Sequence, residues 1–256
     1  MIFLRSAGRH PSATLFLGVG LLLGSQVGQA QTTFSVGPRV GYNLSTVRYR
    51  KDDLAASSAV ADASYRSGVE AGLVANIGFG RVALQPAVLY SQKGYKLYGQ
   101  AFSAGANYLY QSNTTYRFDY ISLPLNVVVS MKATGQGLQL LAGPYLGLLA
   151  GGHYSYADQY TYSAGQVIAG QGEGRVKAGD SFMFSSTPPD NSFYSRRLDV
   201  GLQAGLGYRH QAFQLQAIYS LGLRNIGATL PGFSNSPIYQ NQAFQAALSY
   251  LVATTR

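Results

Sequence analysis

The sequence predicts an all-β fold, an eight-stranded antiparallel up-and-down barrel whose apolar face meets lipid. Three observations predict it. Apolar residues recur at every second position in one stretch after another, the period of a strand with one apolar face. Only 11% of the 256 residues are charged, well below the share of about a quarter usual for soluble domains. The connections alternate between long and short, as in barrels with short periplasmic turns and long extracellular loops.

Residues 1–30 read as a secretory signal peptide and residues 31–256 as an outer-membrane β-barrel domain. Arg5 and Arg9 stand without an acid near the start, and an apolar core runs from Leu15 to Leu23. Gly28 and Ala30 then supply the small residues of a cleavage site before Gln31. That core is too short to span a bilayer, and nothing after it reaches the roughly 18 apolar residues of a membrane helix.

The first strand is predicted over residues 34–49, with Phe34, Val36, Pro38, Val40, Tyr42 and Leu44 outward and Ser35, Gly37, Arg39, Gly41 and Asn43 inward. Residues 50–64 are polar and read as a loop. A second strand over 65–79 sets Val69, Leu73 and Ile77 outward and Gly68, Glu70, Gly72 and Asn76 inward. Gly80-Arg81 is a tight hairpin turn into a third strand, with Leu84, Pro86, Val88 and Tyr90 outward. Residues 99–114 read as a second loop.

In the fourth strand Ile121, Leu123, Leu125, Val127 and Val129 alternate with Tyr120, Ser122, Pro124 and Asn126. Tyr116 and Phe118 precede them on the opposite parity, which predicts a bulge near Asp119. After a short turn, the fifth strand sets Leu138, Leu140, Ala142, Leu146 and Leu148 against Gln139, Gly143, Tyr145 and Gly147. Residues 154–195 form the longest predicted connection. The sixth strand has Leu198, Val200, Leu202, Ala204, Leu206 and Tyr208 outward, and the seventh Phe213, Leu215, Ala217, Tyr219 and Leu221. Residues 225–240 are a Gly/Pro/Asn/Ser loop before an eighth strand with Phe244, Leu248, Tyr250 and Val252 outward. Pro38, Pro86 and Pro144 lack a ladder donor at matching places in strands one, three and five, and read as recurrent bulges. Tyr42, Tyr90, Tyr208, Tyr219 and Tyr250 are placed for an aromatic girdle.

The residues at 120–125, Tyr-Ile-Ser-Leu-Pro-Leu, resemble the Tyr-Leu-Glu-Ile-Pro-Leu segment of the PorT-like outer-membrane β-barrel family of Bacteroidetes. Gly143-Pro144-Tyr145-Leu146-Gly147 resembles that family's next strand. Asp199-Val200-Gly201 through Gly205-Leu206-Gly207 resembles its sixth, and the residues from Tyr219 to Ile226 its seventh. The ordered set covers most of the mature chain. Two positions depart: Ser122 stands where the family has Glu, and the chain ends Thr254-Thr255-Arg256 in place of a terminal aromatic. The resemblance implies an eight-stranded barrel in the outer membrane and carries no activity with it.

The charge pattern narrows the partners. The formal net charge is +9, yet the cations are scattered singly, with no basic stripe for nucleic acid. Anionic headgroups or glycans suit that scatter better. There is no Cys, hence no disulfide, thiol chemistry or Cys-based metal site. Arg39, Glu70, Lys93, Arg197, Asp199, Arg209 and Arg224 all point inward in the predicted register. They read as interior ion pairs, with a cationic lumen passing small anions as the sharper alternative.

Chemistry is sparse. His153-Tyr154-Ser155 puts His and Ser on one strand face, as in lipid A deacylases, with Asp158 the nearest carboxylate. Nucleophilic catalysis needs that base within hydrogen-bond reach and an acid to orient it. No His pair has metal-ligand spacing, and the Gly-rich stretch 170–174 precedes no helix. The expected function is therefore a structural, binding or adhesion role through extracellular loops, above all the 155–195 loop. The alternatives are a narrow anion or small-solute channel and, behind it, a lipid-modifying enzyme. No catalytic, cofactor or metal residue is assigned. The expected partners are outer-membrane lipids and an extracellular ligand or envelope protein, with the chain a monomer in the cell outer membrane.

Overall fold

The computed structural model describes residues 32–49, 60–103, 105, 107–180, 191–228 and 238–253. The predicted signal peptide (1–30) and most of the predicted 50–64 loop lie outside the described residues.

Among the described residues eleven strands form one sheet: β1 (Thr32–Tyr49), β2 (Val60–Phe79), β3 (Val82–Ser103), β4 (Tyr108–Ser130), β5 (Gly137–Tyr162), β6 (Val167–Ala178), β7 (Ser192–Ser195), β8 (Leu198–His210), β9 (Phe213–Gly222), β10 (Tyr239–Tyr250) and β11 (Val252–Ala253). Eight of them close a ring. β1 pairs with β2, β2 with β3, β3 with β4, β4 with β5, β5 with β8, β8 with β9, β9 with β10, and β10 returns to β1, every pair antiparallel. Closure removes the free edges that an open sheet of this size would expose.

Alternation sets which side of each strand faces out. Leu73, Leu140 and Leu206 are 60–61% exposed on the outer wall, while Arg39, Asn43, Gln85, Asn126 and Asp199 are buried inside. A wall of exposed Leu and Val around a polar interior inverts a soluble barrel and suits a hydrocarbon solvent. The five predicted girdle tyrosines are all exposed. Phe213 and Tyr250 pack edge to face at 5.0 Å at the end with the short turns, and Tyr65, Phe244 and Tyr219 form a second ring contact at the other end.

Four predictions change. The stretches at 99–114 and 154–195 are largely strand, because β3, β4 and β5 run on past the barrel and β6 and β7 join them. Beyond Tyr95, Phe118 and Gly152, Val176 is the one residue of β3–β6 that is buried, so the extension lacks the apolar alternation that marks a membrane strand. The parity change at Asp119 does not occur. Phe118, Tyr120 and Ser122 all lie buried on the inner side, and the irregularity sits in β5, where Ala150 is the extra residue between the pairs Asp119↔Gly151 and Tyr120↔Leu149.

At that bulge β5 changes neighbour. Its lower part pairs with β8 up to Leu148, and its upper part pairs with β6 from Gly152. No bulge marks Pro38, Pro86 or Pro144 either, since each keeps the register of its ladder, Pro38↔Leu73, Pro86↔Leu125 and Pro144↔Leu202. The missing N–H costs one bond without moving the strand. Finally, Arg197 and Arg224 are exposed rather than internal, and Arg209 sits half-buried at the lower rim, its Nη2 reaching Ser35 Oγ at 3.4 Å.

Candidate functional site

The lumen is built in layers by the inward residues of every strand. At the base, side-chain amides form a relay. Gln139 Nε2 donates to Ser130 Oγ, Gln214 to Gln139, Gln85 to Gln214 and Gln216 to Gln85, over distances of 2.7–3.1 Å. Arg39 continues the relay, donating to Gln216 at 2.6 Å and pairing with Glu70 at 2.9 Å.

The next layer centres on Asp199. Its carboxylate accepts from Lys93 Nζ at 3.0 Å, Asn241 Nδ2 at 2.9 Å and the Tyr145 hydroxyl at 3.2 Å. The Lys93 ammonium also lies over the Tyr145 ring, 4.1 Å from its centroid. Gly201 makes this possible, because a Cβ there would stand 2.5 Å from Tyr145 Cε1. Above it, Tyr95, Phe118 and Tyr120 with Val47, Leu149 and Val176 form an apolar cap, against which Tyr116, Tyr154, Phe193 and Tyr239 pack.

Between the two charged pairs remains a gap of about 10 Å³ lined by Arg39, Glu70, Lys93, Ser122, Tyr145 and Gln203, about the room of one water. Ser122 Oγ faces it without a partner. The four internal charges are thus matched one to one, as burial requires. Sequence reasoning found these residues from their parity; the glutamine relay and the aromatic cap it missed, because neither residue type is rare on inward faces.

Beyond the barrel, the upper parts of β2, β3, β4 and β5 with β6 form a projecting blade. An open groove of about 440 Å³ on it is lined by Tyr98, Gln111, Asn113, Gln159 and Gln171, among others. Near its tip Tyr108, Tyr110, Tyr160 and Tyr162 make ring contacts at 4.9–5.5 Å. Burial pushes the Tyr110 phenol up, Ser112 hydrogen bonding works against this, and the Asp158 charge adds to it. Tyr110 is therefore a neutral donor throughout the physiological range.

His153 and Ser155 stand on the outer face of β5, in a shallow pocket of about 320 Å³ with Arg66, Thr115, Arg117 and Glu173. His153 Nδ1 is engaged by Arg117 Nη2 at 2.7 Å. Asp158 falls on the other face by strand alternation, opposite Ser112 and Gly170, so His153, Ser155 and Asp158 are not brought together as an acid–base–nucleophile set. Among the described residues no group of three or more His, Asp or Glu side chains is placed to hold a metal ion.

A closed ring of eight strands, apolar outside and polar inside, with girdles at both ends, defines an outer-membrane β-barrel. Residues 29–227 match the family model described as outer membrane protein beta-barrel domain, and the chain belongs to that family. Its location is the outer membrane.

Among solved structures, the chain is similar to Ail, the attachment invasion locus protein of Yersinia pestis, solved with the heparin analogue sucrose octasulfate, at 12% identity over 87% of this chain and 99% of that one, with a TM-score of 0.35. It is similar to Neisserial surface protein A at 13% identity, covering 85% and 96%, with a TM-score of 0.34. It is also similar to the outer membrane protease OmpT from Escherichia coli at 10% identity, covering 86% and 96%, with a TM-score of 0.38. No curated protein sequence matches the chain.

Proposed function

We propose that the protein is a surface-exposed binding or adhesion protein that presents the β2–β6 blade to an extracellular ligand or envelope partner. The observation that carries this reading is a contrast within the molecule. Among the described residues the barrel interior is filled from the glutamine relay to the aromatic cap, leaving about 10 Å³ between its charged pairs. The blade instead offers an open groove of about 440 Å³ lined by side-chain amides, Tyr98 and the Asp158 carboxylate. Tyrosine and small polar side chains on a rigid sheet give large contact area at low entropic cost. The reading is tested by adhesion of cells displaying the full protein to immobilised glycans and matrix proteins, against cells displaying a Gln111→Ala, Asn113→Ala, Gln159→Ala variant. Binding that the variant loses supports it; equal binding by displaying and empty cells overturns it.

A channel is the second reading, and the filled lumen weighs against it. A lipid-modifying reaction at His153 and Ser155 is weaker still, since Arg117 rather than a carboxylate engages His153 Nδ1 and Asp158 falls on the other strand face. Within the family, the ordered motifs at 120–125, 143–147, 199–207 and 219–226 support a place among the PorT-like barrels of Bacteroidetes. Ser122 at the Glu position is their main departure.

A further inference from the structure

The outer wall carries a polar patch that neither the lumen nor the blade groove uses. Directly opposite residues run across the sheet as Gly94↔Arg117, Arg117↔His153 and His153↔Arg175. Arg66 joins this row from β2 because Gly94 has no side chain: a Cβ at Gly94 would stand 3.2 Å from Arg66 Cδ, so the Arg66 stem lies across β3 toward β4. Gly94 also has φ +150°, which disfavours any other residue.

Arg66, Arg117 and Arg175, with Lys96 exposed beside Thr115, face Asp119 and Glu173, so cations outnumber carboxylates. Burial lowers the Arg66 pKa most, the like charge of Arg117 lowers it further, and Asp119 opposes both. Only one of these contacts is an ion pair, Arg117 to Asp119 at 3.4 Å. Arg66 Nη1 and Arg117 Nε are buried yet have no hydrogen-bond partner, and Asp119 Oδ1 beside them is likewise unpartnered. Two guanidiniums with orphaned donors against one carboxylate still leave room for a further anion, since buried donors are otherwise satisfied.

The patch lies at a defined depth. On β4 the outward series runs Ile121, Asp119, Arg117, and Ile121 pairs directly with the girdle residue Tyr90. Four residues of tilted strand raise Arg117 roughly 10 Å above that level. This is the layer of headgroups, above the acyl chains.

We propose that this pocket binds the phosphate of an outer-leaflet glycolipid headgroup, with Arg66 and Arg117 as its two guanidinium ligands and His153 and Ser155 at its rim. Thr115 and Ser155 supply hydroxyl donors for the remaining phosphate oxygens, and the acyl chains run down the apolar wall of β3 and β4. His153 serves here to orient Arg117.

The test uses the refolded full barrel in detergent, titrated with phosphorylated lipid A, with lipid A stripped of phosphate, and with inorganic phosphate, bound species being read by native mass spectrometry. The phosphorylated lipid should be retained in preference to the stripped one, and inorganic phosphate at equal concentration should not displace it. The Arg66→Gln, Arg117→Gln variant should lose about tenfold or more in retention, the loss of two charge-assisted contacts. Lys132→Gln, which removes a cation at the opposite end, should change nothing. The heat-induced gel shift of each variant verifies that it is folded. Equal retention of both lipids, or unchanged retention in a folded double variant, overturns the proposal. Displacement by inorganic phosphate overturns the lipid as its source, and loss of an acyl chain from the recovered lipid overturns binding in favour of turnover.

Discussion

Lys93 Nζ lies 3.0 Å from Asp199 Oδ2 across the barrel, with the two side chains 2% and 0% exposed. They come from strands 106 positions apart in sequence, and each is the other's charge partner. Asp199 also holds Tyr145 and Asn241, so one carboxylate ties together β3, β5, β8 and β10.

Replacing Asp199 with Asn leaves the Lys93 ammonium buried without its counter-charge. The expected loss is about 3–5 kcal/mol, read as a lower urea midpoint for the unfolded, slower-migrating band on gels. The paired variant Lys93→Met, Asp199→Asn removes both charges and is expected to recover much of that loss. Equal destabilisation by the single and the double variant would show that the pair is not coupled.

Ser122 makes the opposite case. Its hydroxyl is buried and unpartnered, so Ser122→Ala discards no bond and should change stability by no more than about 0.5 kcal/mol. A large loss in the same urea titration would mean that the hydroxyl is bonded in the gap.

Two glycines separate packing from mere flexibility. A Cβ on Gly201 would stand 2.5 Å from Tyr145 Cε1 and 2.2 Å from the Leu221 carbonyl oxygen, whereas one on Gly170 meets nothing within 4 Å. Gly201→Ala is expected to cost about 1–3 kcal/mol by overpacking, and Gly170→Ala to be close to neutral. Comparable urea midpoints for the two would refute the packing argument.

The filled lumen predicts electrical silence. In planar bilayers the protein should give no resolved conductance steps, and replacing Tyr120, Tyr145 and Lys93 together by Ala should introduce them. Steps from the unaltered protein would show that the plug of Tyr95, Phe118 and Tyr120 moves aside.

The membrane-spanning part was legible in the sequence because lipid imposes one simple rule. Every outward position at the depth of the acyl chains, such as Val40, Leu73, Leu140 and Leu206, must be apolar, and strand geometry repeats that demand at every second residue. The internal position of Arg39, Glu70, Lys93 and Asp199 followed from the same parity. Above the membrane the rule lapses. No residue of 108–114 or 156–162 is buried, so these parts of β4 and β5 carried no apolar alternation and read as loops.

By itself the sequence determined the eight-strand count and the inward parity of Arg39, Glu70, Lys93 and Asp199, which rest on local periodicity. The signal peptide, the alternation of long and short connections and the family resemblance decided that the apolar face meets lipid. Parity failed for Arg197, Arg209 and Arg224, which lie at the barrel's rims. Only the tertiary structure decided which groups meet. The pairing of Lys93 with Asp199, the turn of β5 from β8 to β6 at Ala150, and the reach of Arg66 over Gly94 to Arg117 each depend on strand register across the ring. Register is a relation between distant segments, and no local pattern encodes it.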